Sequence, residues 1–333
     1  MSAFENRRWK LIKRPEGAAR RSDFVFETVP APEPQPGEVL VEVEYLSLDP
    51  AMRGWMNEGK SYVPPVALGE VMRALGAGRV VASNDPALAV GDTVTGVTGV
   101  QAFAVAKAKT FNQIDARLAP LPRWLGVLGM PGMTAYFGLL DVGQPKPGQT
   151  VVVSGAAGAV GSAVGQIAKI QGCRAIGIAG GADKCAQLRE LGFDAAIDYK
   201  QEDVRAALAR ACPNGIDVYF DNVGGEILDV ALGQLALHAR VVICGAISQY
   251  GNLHAARGPK NYLSLLVNRA RMEGFVVTDF LPRWSEGVRQ MATWLAEGRL
   301  TPREQVEAGL ERFPEVLDLL FTGGNTGKLV LKV

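Results

Sequence analysis

From Thr150 onward the chain alternates short, largely apolar runs with amphipathic stretches, and this rhythm constrains the fold more than any other feature. Thr150–Ser154, Arg174–Ala179, Ala195–Asp198, Ile216–Asp221, Arg240–Gly245 and Met272–Val277 read as strands. Between them Gly158–Gln171, Ala182–Leu191, Glu202–Ala211 and Glu226–Leu235 read as helices, and Trp284–Glu297 follows as another. A strand with no polar face must be covered on both sides. The pattern therefore predicts α/β architecture, a doubly wound parallel sheet with helices on each face.

The residues ahead of it are of another kind. Val39–Tyr45 alternates apolar and polar, after a rigid Pro32–Gly37 turn, as a half-buried strand does. Gly78–Ala82 and Asp92–Thr95 are further short strands, and Leu125–Leu140 reads as a helix interrupted at Pro131. At the other end Arg312–Phe321 is helical, Gly323–Asn325 turns, and Lys328–Val333 alternates as an edge strand. The predicted organisation is a Rossmann domain at 127–299 and a discontinuous, mostly-β domain from 1–126 and 300–333, which suits the 333-residue length.

Charge and composition narrow the function classes. With 35 Lys+Arg against 34 Asp+Glu the net charge is +1, so no general basic field draws nucleic acid or an anionic membrane. Hydrophobic content of 48% excludes a disordered chain. The start, Met1–Lys10, is charged and has no apolar run before a cleavage site. Val151–Ala168 is long enough to test as a membrane span, yet Ser154, Ser162, Gln166 and four glycines favour strand, turn and helix. Cys173, Cys185, Cys212 and Cys244 lie far apart, which suits a reduced, cytoplasmic setting rather than a disulfide framework. Residues 1–172 contain no cysteine and the histidines are His238 and His254, so no zinc is expected. His254 reads as a surface residue of the Asn252–Pro259 loop.

Glycine is in excess, 39 of 333 residues, where an average chain carries about 7%. Its sharpest concentration is Val151-Val-Val-Ser-Gly155-Ala-Ala-Gly158-Ala-Val-Gly161-Ser162. This resembles the dinucleotide fingerprint G-x-G-x-x-G with Ala156 in place of the first glycine. Gly158 lets the backbone approach a pyrophosphate, Gly161 lets the helix pack on its strand, and the helix N terminus offers N–H groups. The alternative is a glycine-lined packing contact, for which Gly161-x-x-x-Gly165 also serves. At the end of the next strand, Ile178–Lys184, no carboxylate stands ready for a ribose 2′-OH, and Lys184 follows one helical turn in. A cation there suits a 2′-phosphate, hence NADP(H). The competing reading leaves Lys184 solvated and gives Asp183 the acid's task.

Several ordered motifs then carry a resemblance over essentially the whole chain. They are Leu48–Gly54, Asn57–Tyr62, Leu128–Tyr136, Ser154–Lys169, Tyr219–Gly225, Cys244–Tyr250, Gly274–Val277 and Gly323–Gly327. Together they resemble the zinc-independent medium-chain dehydrogenases/reductases of the prostaglandin reductase (leukotriene B4 12-hydroxydehydrogenase) and plant alkenal double-bond reductase type, the bacterial NADPH-dependent curcumin reductases in particular. The resemblance implies a GroES-like fold for the mostly-β substrate domain, NADPH as cofactor, no zinc, and a homodimer.

It also implies a set of site residues. Gly158, Ala159, Val160 and Gly161 would cradle the pyrophosphate, and Lys184 and Tyr199 would line the 2′-phosphate pocket. Asn222 would sit beside the cofactor. Cys244, Gly245, Ala246, Ile247, Ser248 and Tyr250, with Phe275, Val276 and Val277, would border the nicotinamide. Thr134 would reach the nicotinamide side, and Asn325 would hold the cofactor from the other domain. The implied chemistry is hydride addition to the β-carbon of an enone or enal, with Tyr250 donating a hydrogen bond to the enolate oxygen. A loop tyrosine with a satisfied hydroxyl is the other reading of Tyr250. Tyr62 is a candidate for the substrate mouth. Ala51 and Trp55 stand where the family often has an aromatic and a basic residue, which implies a substrate pocket either wider at Ala51 or with its aromatic wall rebuilt from Trp55. Two other functions stand beside this one: a quinone oxidoreductase of the same fold, and a non-catalytic NADPH-binding protein.

Overall fold

The computed structural model describes residues 4–251 and 257–333, so the loop position of His254 lies outside the described residues. The chain divides into two units, Met1–Gly126 with Glu304–Val333, and Val127–Arg303. The first unit opens on an antiparallel hairpin of β1 (Glu5–Leu11) and β2 (Phe24–Pro30). A larger antiparallel sheet is begun by β3 (Glu38–Ser47), β4 (Leu75–Ser83), β5 (Thr93–Val97), β6 (Phe103–Lys107) and β7 (Phe111–Gln113). The alternating segment lies within β3, which pairs with both β4 and β6. From β3, Val39 and Val41 pack with Val80, Val94 and Phe111, while Val43 and Leu46 join a second cluster around Trp9. Gly78 marks the closest approach of β4 to β3: a Cβ there would stand 2.0 Å from the Glu42 carbonyl oxygen.

In the second unit β8 (Thr150–Ser154), β9 (Arg174–Ala179), β10 (Ala195–Asp198), β11 (Ile216–Asp221), β12 (Leu235–Ile243) and β13 (Arg271–Gly274) form one parallel sheet. Its spatial order is β10-β9-β8-β11-β12-β13, the doubly wound order in which the winding reverses between the first and fourth strands. All five residues of β8 are buried. Val152, Ile176, Ile178, Tyr219 and Val241 line the cluster that unites four neighbouring strands. The reversal lies between β8 and β11, so ligands of such a sheet collect outside Ser154 and Asp221.

Two expectations in this unit need correction. Pro131 does not interrupt a helix; it sits in the first turn of the helix Met130–Phe137, where its missing N–H costs nothing. The segment read as a strand over Met272–Val277 pairs only through Gly274, and Val277 opens a 3₁₀ turn that runs to Arg283. The tail returns to the first unit with β14 (Glu304–Ala308) and β15 (Lys328–Lys332). Here β15 is no edge strand. It lies between β14 and β3, with Lys328 through Leu331 buried, and β14 is the edge. The indole Nε1–H of Trp9 donates to the Leu310 carbonyl (2.8 Å), and its ring meets Phe24, Phe26 and Phe313, which fastens the tail to the hairpin.

Candidate functional site

The glycine-rich turn leaves β8 at Ser154 and reverses through Gly155, whose φ of +59° favours glycine. Gly158 N–H donates to the Gly155 carbonyl (3.0 Å), and Gly158 then enters the helix Ala159–Ile170 in extended conformation. No side chain caps this helix. The N–H groups of Ala159, Val160 and Gly161 have no acceptor within it. A Cβ on Gly161 would stand 2.4 Å from the Gly155 carbonyl oxygen, so the helix sits on the turn only because that residue is glycine. At Gly158 a Cβ would meet only Gly155 O, at 3.3 Å.

Beside this turn β11 ends in Asp221, 1% exposed. Its carboxylate accepts from Ser154 Oγ (2.8 Å), Tyr219 Oη (3.2 Å) and the N–H groups of Val223 (3.2 Å) and Gly224 (3.0 Å). Burial pushes the Asp221 carboxyl up, against the pull of those bonds. Asn222 N–H donates to Ser154 Oγ (2.9 Å) and its Nδ2 to Ser154 O (2.8 Å). Ser154 thus clamps the ends of β8 and β11 together.

The segment after β12 hangs on the same strand end. Cys244 and Gly245 N–H both donate to the Asp221 carbonyl (2.9 and 3.0 Å), and Ser248 Oγ to Val223 O (2.6 Å). Tyr250 turns back over this loop, and its hydroxyl oxygen accepts from Ala246 N–H (3.2 Å). That bond does not use the phenolic proton, and an N–H on the oxygen strengthens the O–H as a donor. The Cys244 thiol is pushed up to about 12 by burial and by the Asp221 charge, so it stays protonated. Phe275 packs edge-on to Phe220 (6.4 Å between centroids), Val277 is buried, and Thr134 Oγ donates to Met130 O (2.7 Å).

At the ends of β9 and β10 the Tyr199 ring covers Gly180, where a Cβ would meet it at 2.8 Å. Lys184 is half-buried on the helix Ala182–Glu190, and burial together with the charge of Lys200 holds its ammonium below the ordinary lysine value. Asp183 is exposed. In the first unit Trp55 Nε1–H donates to the Tyr62 hydroxyl (3.3 Å), the Arg73 guanidinium lies 5.5 Å from the Trp55 ring centre, and Ala51 packs against the Trp9 cluster. Asn325 Nδ2 donates to Gly327 O (3.3 Å).

Known proteins match this chain along its length. The N-terminal domain of oxidoreductase matches residues 7–114, and the zinc-binding dehydrogenase family matches residues 159–297. The NADPH-dependent curcumin reductase of Escherichia coli is 43% identical over 335 residues, covering 98% of this chain and 97% of its own. YfmJ of Bacillus subtilis, named as an NADP-dependent oxidoreductase, is 49% identical over 330 residues, covering 97% of this chain and 96% of its own. Among solved structures, CurA from Vibrio vulnificus in complex with NADPH superposes with a TM-score of 0.93 at 43% identity, covering 98% of this chain and 99% of that one. The chain belongs to the medium-chain dehydrogenase/reductase family, with the curcumin, alkenal and prostaglandin reductases.

This family member is an oxidoreductase. One of its matching families is described by zinc, but among the described residues no group of three or more His, Cys, Asp or Glu side chains is placed to hold a metal ion. Within the second unit the structure brings Gly158–Gly161, Asn222 and the loop 244–250 to the adjacent ends of β8, β11 and β12, and Lys184 and Tyr199 to those of β9 and β10. Sequence reading missed the residues that hold them: Ser154, Tyr219 and Asp221 in the centre, and Asp198 beneath Tyr199. The available signal was a carboxylate closing an otherwise apolar strand, as in Ile216–Asp221 and Ala195–Asp198. It also missed a buried ion pair in the first unit. Lys328 Nζ, 3% exposed, donates to Asp49 Oδ1 (2.7 Å) and Leu48 O (2.8 Å), with Ser47 Oγ on the other Asp49 oxygen.

Proposed function

We propose that this protein is an NADPH-dependent reductase of the C=C bond in α,β-unsaturated ketones and aldehydes. The observation that carries the reading is Tyr250: its hydroxyl is fixed against the Ala246 backbone, on a loop anchored to the end of β11 and adjoining the glycine-rich turn. The uncapped helix start at Ala159, Val160 and Gly161, next to a glycine without a side chain, fits a pyrophosphate. Lys184 and Tyr199 fit a 2′-phosphate, and NADPH when bound supplies the hydride.

The chain's own residues supply placement and charge stabilisation. Asn222, held by Ser154, and the loop Cys244–Ser248 with Phe275–Val277 border the nicotinamide; Thr134 and Asn325 are assigned to the cofactor as well. Ala51, Trp55 and Tyr62 are assigned to the substrate pocket. As hydride reaches the β-carbon, negative charge grows on the carbonyl oxygen, and the Tyr250 O–H donates to it. Cys244, kept protonated, offers no competing nucleophile to the electrophilic substrate. The donor set favours a reaction without zinc, since residues 1–172 contain no cysteine or histidine.

We further assign a homodimer and a cytoplasmic setting. All four residues of the edge strand β13 are exposed, and Leu263, Leu266 and Val267 are exposed beside it in sequence, a surface that suits strand pairing with a second copy. All four cysteines are free thiols, and no helix among the described residues is long and apolar enough to cross a membrane.

The test is NADPH oxidation against an enone, an enal, a quinone and a saturated ketone, with product analysis and NADH as control. A saturated ketone formed from the enone supports the reading. Hydroquinone formation without enone turnover selects the quinone reductase, and tight cofactor binding with no turnover selects a binding protein.

A further inference from the structure

We propose that Lys200 is a second cation of the 2′-phosphate pocket and a determinant of NADPH over NADH, a role that rests on the cofactor reading above. The two loops that shape this pocket, Gly180–Gly181 after β9 and Tyr199–Lys200 after β10, are joined through one oxygen. Oδ1 of Asp198 accepts both Gly181 N–H (2.8 Å) and Lys200 N–H (3.0 Å). Asp198 is buried, and Tyr199 N–H donates to the Ala179 carbonyl (3.1 Å). Tyr199 then lies with its ring on Gly180. The backbone of Lys200 is thereby held one shared oxygen away from Gly181, the residue that caps the nine-residue helix carrying Lys184.

This arrangement has two consequences for charge. The Asp198 carboxylate at the end of β10 is buried and holds backbone N–H groups, so it does not meet an incoming phosphate. Two ammonium groups instead come from the helix after β9 and the loop after β10, close enough that the Lys200 charge disfavours the protonated form of Lys184. A dianion placed between two cations is attracted by both, and NADH carries no such group at that position. Lys200 is exposed, so its side chain is available to that dianion.

The experiment is calorimetric titration of the full chain and its Lys200→Ala and Lys200→Arg variants with NADPH, NADH and 2′,5′-ADP. Loss of one charge-assisted contact predicts that Lys200→Ala weakens NADPH and 2′,5′-ADP about tenfold. NADH affinity should be unchanged, and Lys200→Arg should recover most of the loss. An equal loss for NADPH and NADH overturns the proposal, because it marks a structural effect on the loops. Unchanged NADPH affinity in Lys200→Ala also overturns it, while a wild-type preference for NADPH would leave the cofactor reading standing. A wild-type protein that does not prefer NADPH over NADH removes both.

Discussion

At the scale of single residues the central question is what a phenol on a loop does for catalysis. Tyr250 accepts a backbone N–H on its oxygen, and that bond raises the donor strength of its O–H. Replacing it by Phe should lower kcat on an enone about 10- to 100-fold, below the loss typical of a main oxyanion donor, and leave the NADPH Kd unchanged. Steady-state kinetics with a parallel binding titration checks this, and an unaltered kcat removes Tyr250 from the reaction. Lys184 makes a pH-dependent prediction. Its ammonium lies below the ordinary 10.5 through burial and the charge of Lys200, so it sheds its proton before an exposed lysine as pH rises. Binding of a 2′-phosphate needs that proton. The preference for NADPH over NADH should therefore decline between neutral pH and pH ~10, and a preference that stays flat across that range contradicts the placement of Lys184.

At the scale of elements the second unit depends on how closely one helix sits on one turn. Gly161 has Gly155 O and the Ala156 Cα inside the distance any side chain needs, and both are backbone atoms that cannot turn aside. Gly161→Ala should cost about 3 kcal/mol and lower the Tm by roughly 6–12 °C, with weakened NADPH binding as the helix lifts. A thermal melt indistinguishable from wild type refutes this account of the turn. Elements with a single strong period were legible in advance: β8, β9, β10 and β11 fall where uninterrupted apolar runs predict them. The strands that escaped notice, β1, β2, β6, β7 and β14, carry charges or are very short. Their stability comes from partners rather than from their own pattern, as with Trp9 in β1, whose indole is satisfied by Leu310 some 301 residues away.

At the scale of the molecule the tail is integral to the first unit. β15 runs between β14 and β3, and Lys328 is buried against Asp49. Removing one member of a buried pair leaves the other charge uncompensated. Lys328→Met should destabilise the protein by about 3–5 kcal/mol, and adding Asp49→Asn should restore part of that. Denaturant unfolding of the single and double variants decides it: full additivity of the two losses contradicts a direct pair. Because Asp49 opens the segment that contains Ala51 and Trp55, the same substitutions should also raise KM for an enone more than KM for NADPH.

By itself the sequence determined the class of the second unit, its glycine-rich turn and the absence of cysteine and histidine from residues 1–172, because periodicity, glycine spacing and residue type are local properties. The tertiary structure decided which groups hold the site. Asp221 and Asp198 read as ordinary carboxylates until the fold shows them buried, with backbone N–H groups from successive turns converging on their oxygens. Lys328 reads as the polar position of an edge strand until β14 covers it. A carboxylate or ammonium acquires such a role only when distant segments supply its partners, and burial makes those partnerships obligatory.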